Sequence, residues 1–128
     1  MPFIQLPTPE PAEESRLDWD ALRPAVTEEL LQAITHRIVA TFHPVQVILF
    51  GSHASGIPHA ESDVDLLVVM PTEESPAQRI LRVSQVARVP FLPMDLLVVT
   101  PDEMTARLSQ GDPFLREVVA RGRVLYSR

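Results

Sequence analysis

Two stretches of this chain end in the same way. Asp65 leads into Leu66-Leu67-Val68-Val69, and Asp95 leads into Leu96-Leu97-Val98-Val99. Each is an apolar run of strand length closed by a proline signal, at Pro71 and at Thr100-Pro101. Between them lies a helix pattern. Ser75 is suited to cap it, Pro76 to its first position, and Ile80, Leu81, Val83 and Val86 or Ala87 to its buried face, as far as about Arg88. A strand, a crossover helix and a second strand make the two strands parallel neighbours. Parallel pairing carries both leading carboxylates to one end of the sheet.

The same logic organises the rest. Thr27 is a candidate N-cap, followed by Glu28 and Glu29 at the positive end of a helix. Leu30, Leu31, Ile34, Ile38 and Phe42 recur at helical spacing, and Pro44 ends the helix. Val45 to Phe50 is a first strand. Its link to Val64–Met70 is short, so the two should run antiparallel, and Gly51-Ser52 should emerge at the carboxylate end. Thr100-Pro101-Asp102-Glu103 is a capping box opening a helix to about Ser109. A last short helix starts at Asp112-Pro113, with Gly122 as its C′ residue, and Val124-Leu125-Tyr126 forms a small edge strand. The expected fold class is α/β (α+β), a small mixed sheet flanked by helices. Residues 1–24, with Pro2, Pro7, Pro9 and Pro11 among several acids, read as an extended arm. Trp19 and Leu22 would dock that arm on a single domain, residues 25–128.

Composition removes several classes of function. Cysteine is absent, which excludes disulfides, thiolate zinc sites and cysteine nucleophiles. No lysine occurs, so every cation is arginine, and a lysine base or Schiff base is impossible. The net charge of -6 argues against non-specific DNA coating, which needs a basic face. No apolar run is long enough to span a bilayer, and Met1-Pro2-Phe3-Ile4-Gln5 lacks a signal-peptide pattern. The expected location is cytoplasmic.

Chemistry concentrates where the strands converge. Asp63 and Asp65 are two residues apart, on one face of a strand and roughly 6–7 Å apart. Carboxylates so placed suit a hard, oxygen-seeking cation, and without one their mutual repulsion raises a pKa. Gly51 lets the backbone approach a ligand closely. The N–H groups from Gly51 to Ala54, with the Ser52 hydroxyl, can face phosphate oxygens.

Taken together, Phe50, Gly51, Ser52, Asp63, Asp65 and Asp95 resemble the motif of the nucleotidyltransferase superfamily that includes DNA polymerase beta, most closely its minimal nucleotidyltransferases. That motif is a hydrophobic residue, Gly, Gly or Ser, then Asp-x-Asp and a third Asp on a later strand. The resemblance spans about Val45 to Val99, and Arg121-Gly122-Arg123-Val124-Leu125-Tyr126 is similar to the family's tail. It implies that Asp63 and Asp65 hold two Mg ions with the triphosphate of a nucleotide, ATP in the first instance. It also implies that Asp95 ligates the catalytic metal and activates the attacking hydroxyl. Gly51, Ser52, His53 and Ser55 are the implied phosphate-binding residues. Many minimal members carry Arg where this chain has Ser55, which removes one charge-assisted phosphate contact; Arg82, Arg88 or an arginine of a partner could replace it. The resemblance further implies transfer of AMP to a hydroxyl, and a HEPN-domain partner for which the chain acts as antitoxin. The alternative is a non-catalytic scaffold of the same fold that binds a nucleotide or a partner.

Overall fold

A computed structural model describes residues 19–56, Pro58 and residues 63–128. Most of the proline-rich arm therefore lies outside the described residues. The elements run α1 (Trp19–Leu22), α2 (Glu28–Phe42), β1 (Gln46–Phe50), α3 (Ser52–Ser55), β2 (Val64–Val69), α4 (Pro76–Ala87), β3 (Met94–Val99), α5 (Pro101–Ser109), α6 (Pro113–Arg121) and β4 (Arg123–Ser127). No described helix is long and apolar enough to cross a membrane.

Four of the helices, α2, α4, α5 and α6, begin on a side-chain cap that the sequence offers. Thr27 accepts a hydrogen bond from the Leu30 N–H at 3.1 Å, Ser75 from Gln78 at 3.3 Å, and Asp112 from Leu115 at 3.0 Å. At α5 the capping box is complete: Thr100 Oγ1 accepts from Glu103 N–H at 3.1 Å, while Glu103 Oε1 accepts from Thr100 N–H at 2.9 Å. His43 ends α2 in the left-handed conformation at φ 48°.

The sheet has the order β3-β2-β1-β4. Strands β2 and β3 are parallel, with Asp65 opposite Asp95 and Val69 opposite Val99. Strand β1 is antiparallel to β2, with Phe50 opposite Asp65. It is also antiparallel to β4, with a register shift between Val47 and Ile48. The architecture is thus the mixed, helix-flanked sheet expected from the strand and crossover pattern.

The two faces of the sheet carry separate cores. Val47, Leu49, Val64, Leu66, Val68, Leu96 and Val98 pack with α2 and α4 through Ile34, Ile38 and Val83. Ile48, Leu67, Val69 and Val99 pack with α5 and α6 through Met104, Leu115 and Val118, with Phe50 and Leu97 partly buried against them. Alternation along each strand assigns Asp65 and Asp95 to this second face.

Three local expectations need correction. Leu81 is 57% exposed instead of buried, and buried Arg79 and Ser84 share the inner face of α4 with Val83 and Ala87. Leu22 is 44% exposed, so it is not a buried anchor; the Trp19 side chain lies outside the described residues. Gly122 is not left-handed, since its φ is -70°. A Cβ there would lie 2.3 Å from the Val118 carbonyl oxygen and 2.8 Å from Ile48 Cγ2, so close packing of the chain, not backbone handedness, requires glycine.

Candidate active site

The site grows from the register. Asp65 sits on an interior strand between Phe50 of β1 and Asp95 of β3. Asp63 precedes β2 by one residue and is exposed, as is Asp95, whereas Asp65 is half-buried. None of the ion pairs among the described residues involves Asp63, Asp65 or Asp95. Burial raises the Asp65 pKa to about 6, and the charges of Asp95 and Asp63 and a hydrogen bond with Asp95 push the same way; the nearby His53 opposes them. At this edge, Asp65 and Asp95 face each other closely enough to share a proton.

Gly51 is built against that pair. Its φ of 73° and ψ of -156° lie in a region that essentially only glycine occupies. A Cβ at this position would stand 2.2 Å from Asp65 Oδ2. Backbone handedness and space therefore both exclude a side chain, and the turn after β1 lies directly on the Asp65 carboxylate.

The turn continues as α3. The Ala54 and Ser55 N–H groups both donate to the Gly51 carbonyl at 3.1 Å, so of the N–H groups expected to face phosphate, that of Ala54 is turned inward. The Ser55 hydroxyl donates to the Ser52 carbonyl at 2.9 Å, which commits its proton to the helix. Ser52 and His53 open α3, and both are half-buried.

As the side chains stand, no group of three or more His, Asp or Glu among the described residues converges closely enough to hold a metal ion. Two carboxylates meet and the third stands beside them. The donor set still fits a hard cation. It offers only oxygen, and burial together with the neighbouring Asp95 and Asp63 charges raises the Asp65 pKa to about 6.

A cleft of about 350 Å³ adjoins the turn, lined by Phe50, Gly51 and Ser55 on one side and by Phe114, Glu117 and Arg121 of α6 on the other. Phe114 meets Phe50 edge to face, with ring centroids 5.4 Å apart and planes at 85°. Arg121 and Glu117 pair at 3.9 Å across one helical turn, and Arg121 is 81% exposed, so its guanidinium stays available at the rim. Arg121 is the residue that a linear reading of the motif misses. The available signal was the Glu-x-x-x-Arg spacing, which puts both groups on one helix face. Arg82 lies elsewhere, paired with Glu74 and stacked 5.7 Å over Phe42. Arg88 lines a different groove with Pro90, Phe91 and Pro93.

Comparison with known proteins points the same way. The family model "Polymerase beta, Nucleotidyltransferase" matches residues 32–128. A candidate nucleotidyltransferase of Sulfolobus solfataricus, known from its crystal structure, superposes with a TM-score of 0.55 at 21% identity, covering 78% of this chain and 79% of its own. At that identity the likeness speaks for the fold. No curated protein matches the chain.

Proposed function

The chain belongs to the polymerase beta nucleotidyltransferase family, and from that premise we propose that it transfers a nucleoside monophosphate, AMP from ATP, to a hydroxyl acceptor with magnesium as cofactor. The observation that carries this reading is the meeting of Asp65, Asp95 and the Gly51 backbone at one sheet edge. No ion pair among the described residues neutralises these carboxylates, and burial, followed by the charges of Asp95 and Asp63, raises the Asp65 pKa.

Asp63, Asp65 and Asp95 would hold the metal, which when bound neutralises triphosphate charge and acidifies the attacking hydroxyl. Gly51 keeps the backbone low enough for a phosphate to approach. The Ser52 hydroxyl donates to a phosphate oxygen, and His53 stands in the same turn near Asp65. Ser55 shapes the turn through its bond to Ser52. Arg121, at the rim of the same cleft, supplies the guanidinium that Ser55 cannot. In the transfer, the acceptor oxygen forms a bond to the α-phosphorus, the bond from that phosphorus to the bridging oxygen breaks, and pyrophosphate leaves. The hydroxyl proton passes to the Asp95 carboxylate. The setting we propose is a cytoplasmic antitoxin that modifies a HEPN-domain partner.

A second reading, a scaffold that binds a nucleotide or partner without turnover, draws on two observations: the three carboxylates do not converge as they stand, and the Ser55 hydroxyl is turned into its helix. One experiment separates the two. The chain is incubated with a HEPN partner, labelled nucleoside triphosphates and magnesium, and the products are weighed intact. A mass gain of one nucleoside monophosphate that disappears in chelator is expected. Tight nucleotide binding without any gain in mass favours the scaffold, and equal ATP affinity in excess chelator rejects the metal site.

A further inference from the structure

The two edges of the sheet are protected to different degrees. Strand β4 has five residues, a register shift at its partner and Arg123 at its start. Strand β3 has six residues, Met-Asp-Leu-Leu-Val-Val, in unbroken register with β2 and without proline or a basic residue. Natural edges are usually blunted by charge, proline or a bulge, and β3 carries only Asp95.

Among the described residues no strand pairs with the outer side of β3. The Val64 N–H bonds to the Pro93 carbonyl at 3.1 Å and the Met70 N–H to the Val99 carbonyl at 2.9 Å, so the odd-numbered carbonyls of this strand face β2. Alternation then turns the N–H and C=O groups of Met94, Leu96 and Val98 outward. No backbone bond from a loop or helix reaches them among the described residues. Met94, Leu96 and Val98 are themselves buried in the core under α2 and α4, so what this edge offers a partner is its backbone.

A groove of about 420 Å³ follows this edge. Of β3 it takes only Leu97, Val98 and Val99, with Pro76, Arg79 and Ile80 of α4 on one side and Phe114 of α6 on the other, and the Arg79–Glu103 pair lines it as well. Residues from both faces of β3 line one groove, so it wraps the strand edge. Leu97 lies two residues from Asp95 on the same face, roughly 7 Å along the strand.

We propose that the acceptor hydroxyl arrives on an extended polypeptide that adds as a fifth strand to the outer edge of β3. This rests on the nucleotidyltransfer reading above and names its substrate class. The complement of outward N–H and C=O groups repeating every second residue is another backbone, and a strand added there alternates its side chains in phase with β3. The residue facing Asp95 carries the hydroxyl, a Tyr, Ser or Thr. The residue two positions away, facing Leu97, seats an apolar side chain in the groove near Phe114. The added strand places the nucleophile on the Asp95 side of the site, opposite the Gly51 turn. Its oxygen bonds to the α-phosphorus, pyrophosphate departs, and the proton goes to Asp95.

The test uses the full chain, Mg-ATP and synthetic nonapeptides of alternating Thr and Val with one central Tyr, followed by amide hydrogen exchange and intact mass. In the free chain the Leu96 and Val98 amides should exchange at least tenfold faster than those of Leu66 and Val68. Peptide should slow them at least tenfold and gain one nucleoside monophosphate on a hydroxyl. A groove-filling variant, Leu97→Arg, should raise the peptide KM at least tenfold. Slow exchange of both amides in the free, dilute chain would overturn the proposal, as would protection that grows with chain concentration alone, which marks self-association. Labelling of RNA or a small alcohol with no protection of β3 would also overturn it while leaving nucleotidyl transfer intact. Failure of wild type to bind Mg-ATP would reject the parent reading instead, and peptide protection of β3 is read without nucleotide.

Discussion

The chain treats its carboxylates in opposite ways at two places on one sheet. After β3, Glu103 is surrounded by partners. The Thr100 N–H donates to it, then the Arg79 guanidinium at 2.6 Å, and its pKa falls below the usual range. Arg79 is itself anchored by donating to the Glu74 carbonyl at 2.8 Å. At the start of β3, Asp95 faces Asp65 with no arginine in contact, and the Asp65 pKa rises. The same protein therefore pairs an acid where it needs stability and leaves acids crowded where stability gains nothing from them. Carboxylates left without an ion pair at a strand end, beside a glycine whose φ and surroundings leave no room for a side chain, are what the proposed metal-nucleotide site would use.

The sharpest way to break this contrast is at Asp95. If the crowded end is catalytic, Asp95→Ala should retain Mg-ATP binding through Gly51, Ser52, Asp63 and Asp65 but lose transfer by roughly 10³-fold or more, because the acceptor hydroxyl loses its proton acceptor. Single-turnover mass analysis reads the rate. Wild-type turnover in the variant would reduce the crowding to a structural accident.

Gly51→Ala addresses the turn that leans on the crowded end. The new methyl must enter a glycine-only conformation and displace Asp65 Oδ2, at a combined cost of about 3 kcal/mol. Denaturant titration should show that loss together with weakened nucleotide binding. An unchanged midpoint would mean that the turn relaxes freely and does not hold Asp65.

At the paired end, Arg79→Ala should lower stability by about 2 kcal/mol, less than a fully buried pair because Glu103 keeps partial access to water. Mg-ATP affinity per folded molecule should be unaffected, since none of the Arg79 hydrogen bonds or ion pairs involves Gly51, Ser52, Asp63, Asp65 or Asp95. A selective fall in Mg-ATP affinity, with stability preserved, would erase the distinction between the two ends.

How much of this was readable beforehand depends on which forces acted. The β2–β3 pairing was legible because a crossover helix leaves few topologies, and register then brought Asp65 to Asp95. The antiparallel β1 followed from the short link. Arg79 was hidden because a buried arginine is decided by a partner 24 residues away, not by periodicity. Leu81 misled because its neighbours carry a helical stripe, while the face it occupies meets no strand. At the candidate site, residue types and topology foretold that Gly51, Asp65 and Asp95 meet at one end of the sheet, yet the inward turn of the Ser55 hydroxyl and the placement of Arg121 depend on how α3 and α6 pack. Local spacing does not encode that packing.

The smallest effect is also the most specific to charge. In the absence of a divalent cation, the folded Asp65 binds its proton up to pH about 6, against 3.8 for the ordinary group. The folded state then holds more protons than the unfolded chain across that window, so stability is greatest below it and falls as pH rises through about 6. Asp65→Asn removes the titration and leaves an amide that can donate to Asp95. At neutral pH the variant should be more stable than wild type by about 1 kcal/mol, a figure reduced for solvent screening at a half-exposed group. The difference should shrink steadily and vanish below about pH 4, where wild-type Asp65 is protonated in both states. Urea midpoints across this range, measured in chelator, read it directly. Mg-ATP should then reverse the order by stabilising wild type alone. A variant less stable than wild type at every pH would mean that Asp65 holds the fold together, and the two ends of the sheet would no longer differ in kind.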